Sequence, residues 1–116
     1  MTDFGSSKEF IFSEEMDWEV VGDGVKRKIM AYDKTIMLVK VSFDQGGIGP
    51  MHEHYHAQTT YVVSGEFELT IDGVTKTMKA GDAFYIPPHK LHGAICTEAG
   101  VLIDVFSPIR EDFMNS

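Results

Sequence analysis

Cysteine is nearly absent from this sequence. Cys96 stands alone, so no disulfide can form within the chain. Nothing demands an oxidising compartment, and a reducing cytoplasm is the expected setting. Cationic residues are also scarce. Ten Lys and Arg stand against eighteen Asp and Glu, a formal net charge of −8, the wrong sign for a nucleic-acid backbone binder. The one tight basic run, Lys26-Arg27-Lys28, lies in a strand-like stretch and reads as a solvated strand face rather than a nucleic-acid patch. Long apolar runs are missing too, and nothing approaches the roughly 20 residues that span a bilayer. Met1 to Phe10 is polar and mixed in charge, without the basic start and apolar run of a secretory signal. Helical periodicity is equally scarce. What is left is one small, acidic, soluble domain of 116 residues, able to bury only a modest core.

What is present is strand signal. Lys26 to Tyr32 and Thr35 to Phe43 are β-rich runs separated by the hairpin-sized gap Asp33-Lys34. Thr59 to Val63 and Phe67 to Ile71 are two more, divided at Ser64-Gly65. Asp72-Gly73 is a strong hairpin turn, because both residues tolerate positive φ, and it returns the chain along Val74 to Met78. Phe84 to Ile86 is stopped by Pro87-Pro88, which lack backbone donors. His92 to Thr97 is expected to pair with Val101 to Phe106 across Glu98-Ala99-Gly100. Short strands at this spacing predict an all-β fold, an antiparallel sandwich or barrel. Residues 1–24 are read as an N-terminal arm and edge strand, 25–113 as the barrel and 114–116 as a tail. A short helical turn is expected somewhere after Arg110.

Histidines supply the first chemistry. His52 and His54 are two apart, so a strand would project both from one face, and neutral imidazole is the commonest ligand of divalent transition metals. His92 lies downstream, after the Gly81-Asp82 turn and the proline pair. His56 shares the parity of His52 and His54 and is read as a supporting group or substrate contact, with metal ligation in place of Gln58 as the alternative. His89, beside the prolines, is read as solvent-facing, and Cys96 as a small buried residue.

These residues resemble the two motifs of the cupin superfamily. The first motif is met by Gly46, His52, His54, Gln58 and Gly65, with Gln58 in place of the usual glutamate. The second is met by Gly81, Pro87, His89, His92 and Cys96, with His89 and Cys96 replacing a glycine and an asparagine. The resemblance implies a single-domain cupin, an antiparallel β-barrel or jelly roll, holding one divalent transition metal on His52, His54, His92 and Gln58. Nickel, zinc, iron, cobalt and manganese all suit such ligands. A glutamine donates only a dipole, so the ion keeps its full charge. That favours Lewis-acid handling of an anion over dioxygen chemistry.

Leu102, Asp104 and Phe106 share one face of the last strand, opposite Val101, Ile103 and Val105. On the pattern alone Asp104 is either an exposed edge carboxylate or an inward one, and Arg110 either a surface partner or a guanidinium at the barrel mouth. A closer resemblance bears on this choice. His52 to Gln58, Tyr61 to Phe67 and Gly100 to Phe113 are similar to the pectin-degradation cupins of the KdgF type. That family converts 4,5-unsaturated uronates, from pectin or alginate breakdown, to linear 5-keto-4-deoxyuronate by ring opening and enol–keto tautomerisation. The resemblance implies a metal-dependent, isomerase-type enzyme acting on a small acidic sugar. Asp104 would carry the proton, Arg110 would clamp the carboxylate and Phe106 would wall the sugar. Tyr61 and His56 would be further substrate contacts. Cupins this short often pair through an N-terminal strand, and Phe10-Ile11-Phe12 would suit a homodimer. The rival readings are a non-catalytic sugar-binding cupin and a small iron-dependent cupin dioxygenase.

Overall fold

Alternation of apolar and polar side chains dictates most of the architecture. In the computed structural model, which describes residues 4–114, the chain runs through eight strands. These are β1 (Glu19–Gly22), β2 (Val25–Asp33), β3 (Ile36–Phe43), β4 (Ile48–His52), β5 (Ala57–Ile71), β6 (Val74–Lys79), β7 (Ala83–Ile86) and β8 (His92–Ser107). A 3-10 turn at Ser13–Glu15 precedes them, and helix α1 (Glu111–Met114) closes the chain. The ends of the expected arm and tail, residues 1–3 and 115–116, lie outside the described residues.

All pairings are antiparallel, in the order β1-β2-β3-β8-β5-β6, with β4 on β8 and β7 on β5. The sheet curls but is not closed by hydrogen bonds, since β1 and β6 end it without pairing to one another. Of the expected barrel or jelly roll, the closed barrel does not form, and the open antiparallel sheet is consistent with the jelly roll.

Two expected strand breaks are not breaks. The divisions at Ser64-Gly65 and at Glu98-Ala99-Gly100 fall inside the continuous strands β5 and β8. The supposed hairpin of His92–Thr97 with Val101–Phe106 does not form. Both halves of β8 pair with β5 instead, Phe106 opposite Gln58 near one end and His92 opposite Ile71 at the other. The reason is a crossing point. Register shifts on β5 between Val62 and Phe67 bend the ladder there. Gly65 has φ +82°, and a Cβ on it would meet the carbonyls of Glu98 and Ala99 within 2.6 Å. A Cβ on Gly100 would strike the Ser64 carbonyl. The two glycines let both long strands pass from one part of the sheet to the other.

The hairpin signal at Asp72-Gly73 is borne out, with φ of 49° and 82° between β5 and β6. The turn expected at Asp33-Lys34 falls one residue later, at Lys34-Thr35 between β2 and β3, because the Asp33 carboxylate accepts from the Thr35 amide and hydroxyl, each at 2.7 Å. Met37 and Val39 of β3, Val62 and Phe67 of β5, and Cys96, Leu102 and Phe106 of β8 form the core. Each large side chain so buried contributes about 1.5–3 kcal/mol.

The basic run departs from expectation. Arg27 and Lys28 are buried rather than solvated. Arg27 shares the inward parity of Val25, and its Nε donates to Glu19 of β1 at 2.7 Å. Lys28 points the other way, but the N-terminal segment covers it. Its Nζ donates to the Ser13 carbonyl at 2.7 Å and lies 4.6 Å from the Trp18 ring centroid. No helix among the described residues is long and apolar enough to cross a membrane.

Candidate metal centre

β4 and β8 bring two of the histidines together by register. His52, the last residue of β4, pairs with His92, the first of β8, and their rings lie 4.3 Å apart. His54 follows in the connection to β5 rather than on a strand, so strand parity does not place it. Its ring is 4.8 Å from that of His92 and 5.6 Å from that of His52. One ligand atom from each of the three lies within 4.8 Å of the others.

Backbone carbonyls fix all three imidazoles. His52 Nδ1 faces the Pro50 carbonyl at 2.7 Å, His54 Nδ1 that of His56 at 3.0 Å, and His92 Nδ1 that of Lys90 at 2.8 Å. An imidazole donating Nδ1–H keeps a lone pair on Nε2, the usual arrangement of a metal-ligating histidine. Burial and the nearby Arg110 charge lower the His54 pKa to about 4, and burial lowers that of His92. His54 and His92 are therefore neutral near pH 7.

Gln58 completes the argument. Its Nε2 donates to Thr60 Oγ1 at 3.0 Å and to Asp104 Oδ1 at 3.3 Å, while Thr60 Oγ1 donates to Asp104 Oδ1 at 2.6 Å. These contacts turn the amide so that Oε1 faces His54 Nε2 at 3.1 Å. A neutral His54 has one N–H, and both of its nitrogens face carbonyl oxygens. Whichever carries the proton, the other points a lone pair at an oxygen. A cation resolves that opposition, so the donor set fits a metal.

Beside the cluster is a cavity of about 590 Å³, walled by apolar residues such as Val39, Phe43, Ile86 and Leu102. His52, Gln58, His92, Asp104, Phe106 and Arg110 all line it. Burial raises the Asp104 pKa to about 6, against the lowering effects of Thr60, Gln58 and the Arg110 charge. Phe106 sits between His54, at 5.8 Å ring to ring, and the Arg110 guanidinium, 4.9 Å from its centroid. Arg110 is buried, pairs with Asp112 through Nε at 3.0 Å and Nη2 at 2.8 Å, and stacks on Phe113 at 4.1 Å.

Two expected contacts are not brought to this cavity. Tyr61 lies on the opposite face of β5 from Gln58, Thr60 and Val62, and half of it is exposed. His56 is buried, but its Nε2 donates to the Ile109 carbonyl at 3.1 Å. It steadies the segment carrying Arg110, with help from the Tyr55 hydroxyl, which donates to Glu111 at 2.6 Å. Sequence reasoning missed Thr60 and Arg27. Thr60 shares the parity of Gln58, two residues away, and that signal was available.

Residues 39–106 match the cupin domain family. Over 109 residues the chain is 42% identical to the pectin degradation protein KdgF of Dickeya dadantii, covering 92% of this chain and 99% of that one. This chain is a cupin of the KdgF family. The structure of KdgF from Halomonas sp. superposes on this cupin with a TM-score of 0.87 at 40% identity, covering 92% of this chain and 99% of the other. An RmlC-like cupin from Shewanella frigidimarina superposes with a TM-score of 0.92 at 47% identity, over 95% and 99%. Within the second cupin motif, His89 takes the place of a glycine and keeps a glycine-like φ of +65°. His89 is solvent-facing, as read from the sequence.

Proposed function

We propose that this cupin converts 4,5-unsaturated uronates to linear 5-keto-4-deoxyuronate, by ring opening followed by enol–keto tautomerisation. The observation that carries the reading is the Gln58 amide, which touches the histidine cluster through Oε1 and the half-buried Asp104 through Nε2. A proton carrier stands one side chain away from a metal-fitting donor set. The likeness to a pectin degradation protein over nearly the whole chain supports the same substrate class.

His52, His54, His92 and Gln58 would hold one divalent transition ion. When bound, it supplies Lewis acidity and positive charge toward the substrate carboxylate and ring oxygen. The chain's own residues account for the rest. Asp104 accepts the proton of the C1 hydroxyl as the C1–ring oxygen bond breaks, leaving a C1 aldehyde and an enolate at C5. It then delivers that proton to C4, which completes the ketone at C5. Nothing is gained or lost, as an isomerisation requires. With its pKa near 6, Asp104 exchanges a proton in both directions near neutral pH. Thr60 and Gln58 both hold Oδ1 of this carboxylate, which leaves Oδ2 for the transfer. Arg110 orients the substrate carboxylate and Phe106 packs against the sugar.

The direct test follows the ultraviolet absorbance of the conjugated double bond in unsaturated galacturonate, together with metal analysis of the protein. Metal-loaded protein should speed its loss well above the spontaneous rate. An unchanged rate would sink the assignment. The single buried Cys96 supports a reducing, cytoplasmic setting. The exposed Phe10 and Phe12 support a homodimer formed through the N-terminal arm, which sedimentation would test.

A further inference from the structure

One buried charge has no role in this scheme. Arg27 of β2 is 9% exposed and lines the same cavity as Asp104 and Arg110. Its Nε is committed to Glu19. Among the described residues, its two terminal nitrogens have no hydrogen-bond partner, and neither is a fully buried atom. Arg27 thus brings two uncommitted donors to the wall of the cavity that it lines with Asp104 and Arg110.

Arg27 is also not alone. Its guanidinium carbon lies 3.9 Å from the Phe113 ring centroid, and that of Arg110 lies 4.1 Å from the same centroid. Each guanidinium has its Nε bound to a partly exposed carboxylate, Glu19 or Asp112. Two permanent cations thus share one ring and one cavity. Stacking on the ring face offsets part of their mutual repulsion. An anion bound in the cavity that both line would offset more of it and use the fork geometry that suits guanidinium to carboxylate.

We propose that Arg27 is a second guanidinium for the carboxylate of the sugar acid, acting with Arg110 to select acidic over neutral sugars. The proposal deepens the function given above and rests on it for the substrate class. It does not depend on turnover, because binding of an unreactive ligand tests it.

Saturated D-galacturonate, titrated into the metal-loaded protein by calorimetry, is the probe, with D-galactose as the neutral control. Arg27→Gln should weaken galacturonate about tenfold or more, the usual effect of losing a charged hydrogen-bonding partner, and leave galactose unchanged. Arg27→Lys keeps the charge and should lose less. Glu19→Gln removes the ion pair but leaves the two terminal nitrogens of Arg27, so its galacturonate affinity should stay within about threefold. If Arg27 only braced β1, Glu19→Gln would weaken binding as much as Arg27→Gln, and the proposal would fall. It would fall equally if Arg27→Gln bound galacturonate normally, or if the unchanged protein did not bind it. Failure of the unsaturated substrate to turn over, with galacturonate binding intact and Arg27-dependent, would overturn the reaction but not this site.

Discussion

The two ends of the cavity are built on opposite electrostatic plans. At one end three imidazoles are held by backbone carbonyls beside an amide, and burial keeps His54 and His92 uncharged. At the other, two guanidiniums stay charged at any working pH and are held by carboxylates and aromatic faces. A metal-fitting donor set invites a cation, and fixed cations invite an anion. Asp104 lies between them, touching Gln58 and feeling the charge of Arg110. A carboxyl placed there can move a proton without being locked into one state by either end.

The comparison breaks most completely at the imidazole end. His54→Ala removes both a ligand and the partner facing Gln58. We expect at least a ~100-fold loss of metal affinity, with turnover lost alongside it, read by metal analysis after dialysis and by the absorbance assay. Asp104→Asn should separate these two readouts. Turnover should fall by about 10²–10⁴-fold, the range for losing a positioned proton carrier, with metal content unchanged. Loss of metal in that variant would show that Asp104 serves the histidine end instead.

At the guanidinium end, Arg110→Lys should raise KM about tenfold and change kcat less. A single ammonium cannot grip Asp112 and a ligand carboxylate at once. A fall in kcat with KM unchanged would place Arg110 in the chemical step and not in substrate capture.

The same division governs what could be read from the sequence. The imidazole end was legible because metal ligation depends on residue type and spacing, and His52, His54 and His92 keep both. The three do come together, although His54 sits off the strand expected to place it. The guanidinium end was half legible. Arg110 was found through family likeness, whereas Arg27 was hidden in a run of three basic residues. Its parity with Val25 pointed inward, but burying a charge there makes sense only once Glu19 and Phe113 are beside it. Those partners arrive by tertiary contact. The strand pattern was legible wherever a turn needed particular backbone angles, as at Asp72-Gly73. It misled at Gly65 and Gly100, where glycine marks the crossing of two long strands rather than their ends.

The smallest effect tests the two plans through stability, in metal-free protein. His54 titrates near 4 when folded and near 6.5 when unfolded. Between these values only the unfolded chain takes up the proton, so stability present above pH 6.5 is lost as pH falls toward 4. Asp104 has the opposite slope. Its folded pKa is about 6 and its unfolded value 3.8, so in that window the folded carboxyl keeps a proton that the unfolded one has released. Lowering the pH from 6 toward 3.8 therefore restores stability that ionised, half-buried Asp104 had removed. The two effects oppose one another over nearly the same range, while His56 and His92, also held low by burial, add to the loss of stability in acid. Asp104→Asn deletes one slope and leaves the others. Its stability relative to the unchanged protein should drop by on the order of 1–2 kcal/mol between pH 7 and pH 4.5, measured by urea unfolding in chelator. A difference that stays constant with pH would mean that Asp104 is not desolvated between the two ends, and the proton-carrier role would lose its physical basis.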